Sequence, residues 1–203
     1  MSTAHRRPKQ PEQLRQQLLQ ATAELTVAKG APAVTLDAVA RQAGVSKGGL
    51  LHHFPSKQAL FEQLFEGLLG EFDQAVHARA SADPEPRGRA ARAYLMAGAQ
   101  GFGDGAEQQR WMALVAALIG DPALRTRWRD WDAAACAPDT APGEDPTLLL
   151  ICRLAADGLW LADLLGNRRL DATQREAVLA RLQAFTQGRT CPDAPFTAPS
   201  ESP

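Results

Sequence analysis

Residues 35–60 (TLDAVARQAGVSKGGLLHHFPSKQAL) constrain this chain more than any other stretch. Thr35 precedes a short run, Leu36–Ala43, in the place of an N-cap, where a side-chain oxygen accepts the free N–H groups of a first helical turn. Gly44 follows the run, where the chain turns left-handed and glycine does so without Cβ strain. Ser46 is again an N-cap residue. The helix it opens stops near Phe54, because the residue before Pro55 avoids helical geometry. Ser56 caps a further helix carrying Leu60, Phe61, Leu64, Phe65, Leu68, Phe72 and Val76 and running to about Ala80. The outcome is two short helices joined by one tight turn.

Ala40 is small where the two helices cross, and Val39, Val45, Leu50 and Phe54 supply a common core beneath them. With those inward, Lys47, Gly48, Leu51 and His52 fall on the opposite face of the second helix. This is the geometry of a helix-turn-helix, whose second helix enters the DNA major groove. Lys47 can reach a phosphate or a guanine edge, His52 a phosphate, and Leu51 offers apolar contact, for instance to a thymine methyl. Lys57 directs a charge at the DNA backbone. Thr35 and Ser46 add hydroxyls, and helix N-termini add free N–H groups. Gly48 and Gly49 each cost a helix roughly 0.5–1 kcal/mol, and their bare backbone allows close approach to DNA.

Charge follows the same division. Residues 1–60 hold eight Lys and Arg against three acids, net +5, and the remainder 14 against 20, net −6. Such asymmetry suits an N-terminal part that meets a polyanion. Arg6, Arg7 and Lys9 make a flexible basic arm over 1–10, which either tracks a minor groove or makes no contact.

Elsewhere the periodicity is helical. Leu14, Leu18, Ala21, Leu25 and Ala28 line one face of a first helix starting near Pro11. Further helices read over Arg89–Gln100, Glu107–Ile119, from Asp121-Pro122 to Cys136, Thr147–Leu165, and from an Asp171 cap to Gln187. A loop covers 81–88, a Gly-rich turn 101–105 and a second loop 137–146. β-branched residues are sparse and no segment alternates with period two, so the fold class is all-α, with about nine helices. The domains expected are the arm 1–10, a helix-turn-helix domain 11–56, a helical regulatory and dimerisation domain 57–187, and a proline-rich disordered tail 188–203.

The motif resembles the DNA-binding domain of TetR-family transcriptional regulators. Thr35, Val39, Ala40, Ala43, Gly44, Val45, Ser46, Gly48, Leu50, His53, Phe54, Ser56, Lys57 and Leu60 match the family pattern, whereas Leu51 stands where the family usually has a tyrosine that often contacts DNA. The resemblance covers about residues 11–70 in sequence and the whole chain in helical plan. It implies a second half that binds a small-molecule effector and dimerises, with helices 147–165 and 171–187 of two chains forming a four-helix interface. Dimerisation also follows from geometry, since one short helix reads few bases and a two-fold dimer reads a palindromic operator.

Met96, Phe102, Trp111 and Trp128 are candidates for an effector pocket; aromatic and Met residues at helical spacing also serve as plain core. Arg153 and Asp157 are polar exceptions on an apolar helix, four apart, and either pair with each other or orient a ligand. The stretch Asp157–Leu161 (DGLWL) resembles the penultimate helix of choline-responsive members, a five-residue likeness that carries no ligand over.

Other classes fare worse. Cys136, Cys152 and Cys191 are odd in number, with no CxxC, against a disulfide framework or zinc site. Adjacent His52 and His53 diverge on a helix, so no metal is expected. No nucleophile–base pair or cofactor loop occurs, so no catalytic residue, no cofactor and no enzyme are expected. The opening residues lack the apolar core of a signal peptide and no run suffices for a membrane span, so a cytoplasmic protein is the expectation. The leading reading is a homodimeric repressor of double-stranded DNA released by a small molecule. The alternative is a DNA-binding regulator without small-molecule input, constitutive or partner-controlled.

Overall fold

The computed structural model describes residues 9–99, 105–140, 142–167 and 170–189. Among them are nine α-helices, two short 3-10 turns and no strand, the all-α architecture expected. The helices are α1 Lys9–Lys29, α2 Leu36–Gln42, α3 Lys47–His53, α4 Lys57–Ala82, α5 Arg89–Gly98, α6 Gly105–Gly120, α7 Pro122–Cys136, α8 Pro146–Leu165 and α9 Ala172–Thr186. The 3-10 turns are Ala31–Ala33 and Ala137–Thr140, the second lying where the sequence reads as a loop. Arg6, Arg7, residues 101–104 with Phe102, Cys191 and the tail from 190 lie outside the described residues.

Packing groups the chain into two units, Met1–Ala75 with Gln100–Ala135, and Val76–Ala99 with Cys136–Pro203. Both are discontinuous in sequence. The α6 helix joins α1–α3, and α4 is shared at Ala75/Val76, whereas the sequence division after residue 56 groups the chain by motif.

In the first unit α1 packs on α6, α2 and the 3-10 turn at Ala31–Ala33. Leu18, Ala21 and Leu25 of the expected face are buried, but Ala28 is exposed. The buried surface runs instead through Thr22 and Thr26, which donate their hydroxyls to Leu18 O at 2.8 Å and Thr22 O at 2.7 Å. A threonine that bonds its own helix in this way buries as if apolar. Val39, Leu50 and Phe54 are buried beneath the α2–α3 pair, Ala40 is buried at their crossing, and Val45 is half-buried. Burying each large apolar side chain contributes roughly 1.5–3 kcal/mol. Leu60, Phe61, Leu64, Phe65 and Leu68 of α4 complete this core as expected, while Phe72 and Val76 are half-buried. Arg15 of α1 donates to Gln63 of α4 and lies 5.3 Å from the Phe54 ring centroid, fastening α1 over the end of α3.

In the second unit α5 packs on α8 and α9. Leu149, Cys152, Ala156 and Leu164 turn α8 inward. The cap of α8 is Asp145, which accepts Leu148 N–H at 3.0 Å, so the helix starts one residue before Thr147. At α9 Asp171 forms a capping box with Gln174. Gly88, at φ +64°, has its N–H accepted by both Glu144 carboxylate oxygens, at 2.8 and 3.0 Å, and lies against the Thr186 carbonyl. Buried Arg92 secures the same corner through Asp83 and the Thr186 hydroxyl. The outer side of α8 stays apolar, with Leu150, Ile151, Leu154, Leu161 and Leu165 exposed; on α9, Ala177 and Val178 are exposed too.

Candidate nucleic-acid interface

Local chemistry sets the α2–turn–α3 geometry. Thr35 Oγ1 accepts Ala38 N–H at 3.1 Å and Ser46 Oγ accepts Gly49 N–H at 3.1 Å, so both hydroxyls serve as helix caps. Gly44 takes φ +69° between them. A Cβ on Gly49 would meet Ser46 Oγ at 3.3 Å, so glycine there relieves the cap; one on Gly48 would meet nothing within 4 Å. Lys47, Gly48, Leu51 and His52 are exposed together on one face of α3, opposite buried Leu50. His53 is half-buried, its ring set edge-on to His52 with centroids 5.5 Å apart. Among the described residues no cluster of His, Cys, Asp and Glu could hold a metal ion.

Two lysines have partners that motif reading did not supply. Lys47 Nζ pairs with Asp37 Oδ2 of α2 at 3.0 Å, both side chains remaining more than half exposed. Asp37 was visible in the sequence as an acid in a first helical turn, but its distance from Lys47 depends on the α2–α3 crossing. Lys57 is half-buried, donates to Ala31 O at 2.6 Å and lies 5.9 Å from the Phe61 ring centroid. Its charge is therefore engaged by the 3-10 turn.

The described effector candidates are spread over both units. Trp111 and Trp128 fall in the first unit, Met96, Arg153 and Asp157 in the second. Trp111 is buried. Trp128 packs against Trp131 and Phe65, with centroids 5.4 and 6.5 Å away. Met96 Sδ accepts from Gln183 Nε2 at 2.9 Å. Arg153 pairs with Asp139 in a contact where both side chains are under a tenth exposed. Asp157 accepts the Tyr94 hydroxyl at 2.6 Å. Neither partner was named from the sequence: Asp139 enters from the Ala137–Thr140 turn, and Tyr94 stands with its ring centroid 4.7 Å from the Arg153 guanidinium. Burial opposes the charge on Arg153, but the Asp139 hydrogen bond and charge outweigh it and hold its pKa above the ordinary value.

Known proteins carry the same pattern. Residues 18–64 match the model for bacterial regulatory proteins of the tetR family, and residues 88–187 that for the Tetracyclin repressor-like C-terminal domain. The HTH-type transcriptional regulator BetI of Ectopseudomonas mendocina is 31% identical over 176 residues, covering 81% of this chain and 88% of that protein. The chain belongs to the TetR family. BetI of Pseudomonas paraeruginosa is 36% identical over 118 residues, 55% of this chain, and the match spans 57% of that relative's length. The solved structure of the multidrug binding protein EbrR with imidazole aligns at a TM-score of 0.59 and 25% identity, over 85% of this chain and 90% of that one. The two BetI relatives are transcriptional regulators, a class apart from enzymes. Among the described residues no helix is long and apolar enough to cross a membrane.

Proposed function

We propose that this TetR-family chain is a cytoplasmic, homodimeric repressor that binds a palindromic operator in double-stranded DNA and is released by a small-molecule effector. The observation that carries the DNA-binding reading is the exposed α3 face, Lys47, Gly48, Leu51 and His52, on a helix capped by Ser46 and held down by Leu50. Lys47 and His52 engage phosphates or base edges, Thr35 and Ser46 lie at the flanks, and Gly48 and Gly49 admit the backbone. Lys57 reaches phosphate on releasing the Ala31 carbonyl. Residues 11–56 form the DNA-binding module and 57–187 the regulatory one.

Dimerisation is assigned to α8 and α9. Leu150, Ile151, Leu154, Leu161 and Leu165 recur along one side of α8, and a face that apolar on a surface helix favours a partner. A two-fold pair reads two half-sites. An effector that binds better to the conformation with mis-spaced recognition helices lowers operator affinity by its differential affinity for the two states.

A second reading omits the effector. It is supported by the internal partners of the polar pocket candidates, Asp139 on Arg153, Tyr94 on Asp157 and Gln183 on Met96.

The test is selection of bound fragments from the source organism's genomic DNA by the purified protein, followed by thermal-shift screening of small molecules. A shared palindrome with a stabilising compound that lowers DNA affinity fits the first reading. A palindrome with no such compound fits the second. Salt-sensitive binding with no enriched site defeats both.

A further inference from the structure

Lys47 and His52 are the exposed side chains of the α3 face that can hydrogen-bond bases. Lys47 is drawn aside to Asp37, at 3.0 Å, and Gly48 has no side chain. The large apolar side chain on that face is Leu51, 42% exposed. It is not needed for the core, which Leu50 and Phe54 fill at 0% and 2% exposure. Gly48 precedes Leu51 by three residues, so the two share one side of the helix. The space where a Gly48 Cβ would stand is open, with no atom within 4 Å. Together they set an apolar side chain beside open space, at the place where the helix would face base edges.

The major groove presents donors, acceptors and one apolar group, the thymine C5-methyl. We infer that Leu51 is a specificity residue that reads a thymine methyl in each half-site, the bare backbone of Gly48 leaving room for the methyl beside it. The inference rests on the DNA-binding reading above and deepens it, naming the base and the atom group recognised. It explains a leucine at an exposed position amid polar and basic neighbours. A methyl removed from water against Leu51 contributes sequence preference, whereas a hydroxyl or amide there would select differently.

The experiment uses the full-length protein and a duplex selected from random sequence. Each thymine of the selected half-sites is replaced in turn by deoxyuridine, which keeps Watson–Crick pairing and lacks the methyl. Replacement at one thymine per half-site is expected to weaken binding roughly fourfold for one half-site and about fifteenfold for both, the worth of a buried methyl-sized group. Leu51→Ala, on an exposed position and checked for an unchanged melting temperature, is expected to bind the thymine and uracil duplexes equally. The inference is overturned if uracil is tolerated at every thymine, or if the penalty persists in Leu51→Ala. No enriched sequence at all overturns the DNA-binding reading and this inference with it, a result distinct from specific binding that ignores the methyl.

Discussion

Lys47 of α3 and Asp37 of α2 form an ion pair at 3.0 Å on the face where the motif presents its basic residue. The pair is exposed, so its stabilisation of the fold is about 0–1 kcal/mol. Its larger consequence concerns DNA: phosphate must compete with Asp37 for the ammonium. Asp37→Asn is expected to raise DNA affinity severalfold at low salt. Lys47→Ala is expected to lower affinity and to reduce the salt slope by about one ion. Titrations of both variants across salt concentrations check this; an unchanged slope in Lys47→Ala excludes a phosphate contact.

Arg153 and Asp139 are both buried. Removing one partner of such a pair leaves an uncompensated charge, so Asp139→Asn is expected to destabilise the fold by about 3–5 kcal/mol. Arg153→Met with Asp139→Leu is expected to cost less than the two single changes added together. Urea unfolding of the three variants measures the coupling, and strict additivity would show the pair to be energetically independent.

Cys152 is fully buried, with its Sγ 3.5 Å from Leu182 O. Burial first, and the Asp139 charge second, push its thiol pKa up. A group whose folded pKa is raised adds stability that is fully present below the unfolded pKa and is lost as pH rises toward the folded one. Stability is therefore expected to decline as pH passes the ordinary thiol value of about 8.5, and Cys152→Ala is expected to lack that component. At neutral pH the native protein should alkylate at half-exposed Cys136 well before Cys152; peptide mapping after a timed iodoacetamide pulse reads the order.

Gly88 and Gly166 share nearly the same backbone, φ +64° and +63°. They differ in surroundings. A Cβ on Gly166 meets nothing within 4 Å, whereas one on Gly88 would stand 1.8 Å from the Thr186 carbonyl oxygen. Gly166→Ala is expected to cost about 1–2 kcal/mol, the left-handed penalty alone. Gly88→Ala adds the clash and is expected to exceed about 4 kcal/mol. Comparable melting temperatures for the two variants would contradict the packing at Thr186.

Leu154 is 61% exposed on the apolar side of α8. Leu154→Glu is expected to yield a folded monomer with weakened operator binding, because a single half-site loses the second recognition helix. Sedimentation velocity together with DNA titration checks both effects. A dimer that persists moves the interface away from α8.

Much of this protein was legible in its sequence because the relevant physics is local. A cap needs an oxygen and an amide three residues apart, so Thr35, Ser46 and Asp171 announced α2, α3 and α9. A left-handed turn needs glycine, so Gly44 marked the bend between α2 and α3. The outward set of Lys47, Gly48, Leu51 and His52 follows from 3.6 residues per turn once Leu50 is inward.

Tertiary structure alone decided the partners. Asp139 lies 14 residues from Arg153 and reaches it only because the 3-10 turn after α7 packs on α8 and α5. Asp37 and Lys47, Tyr94 and Asp157, and Glu144 and Gly88 are likewise joined by helix crossings that periodicity does not encode. Thr22 and Thr26 read as polar and are buried in a helix that packs on α6, α2 and the first 3-10 turn, where each hydroxyl finds a carbonyl one turn back. Local rules specify which face a helix shows and where it ends; which charge meets which depends on contacts between distant segments, and those exist only once the chain has packed.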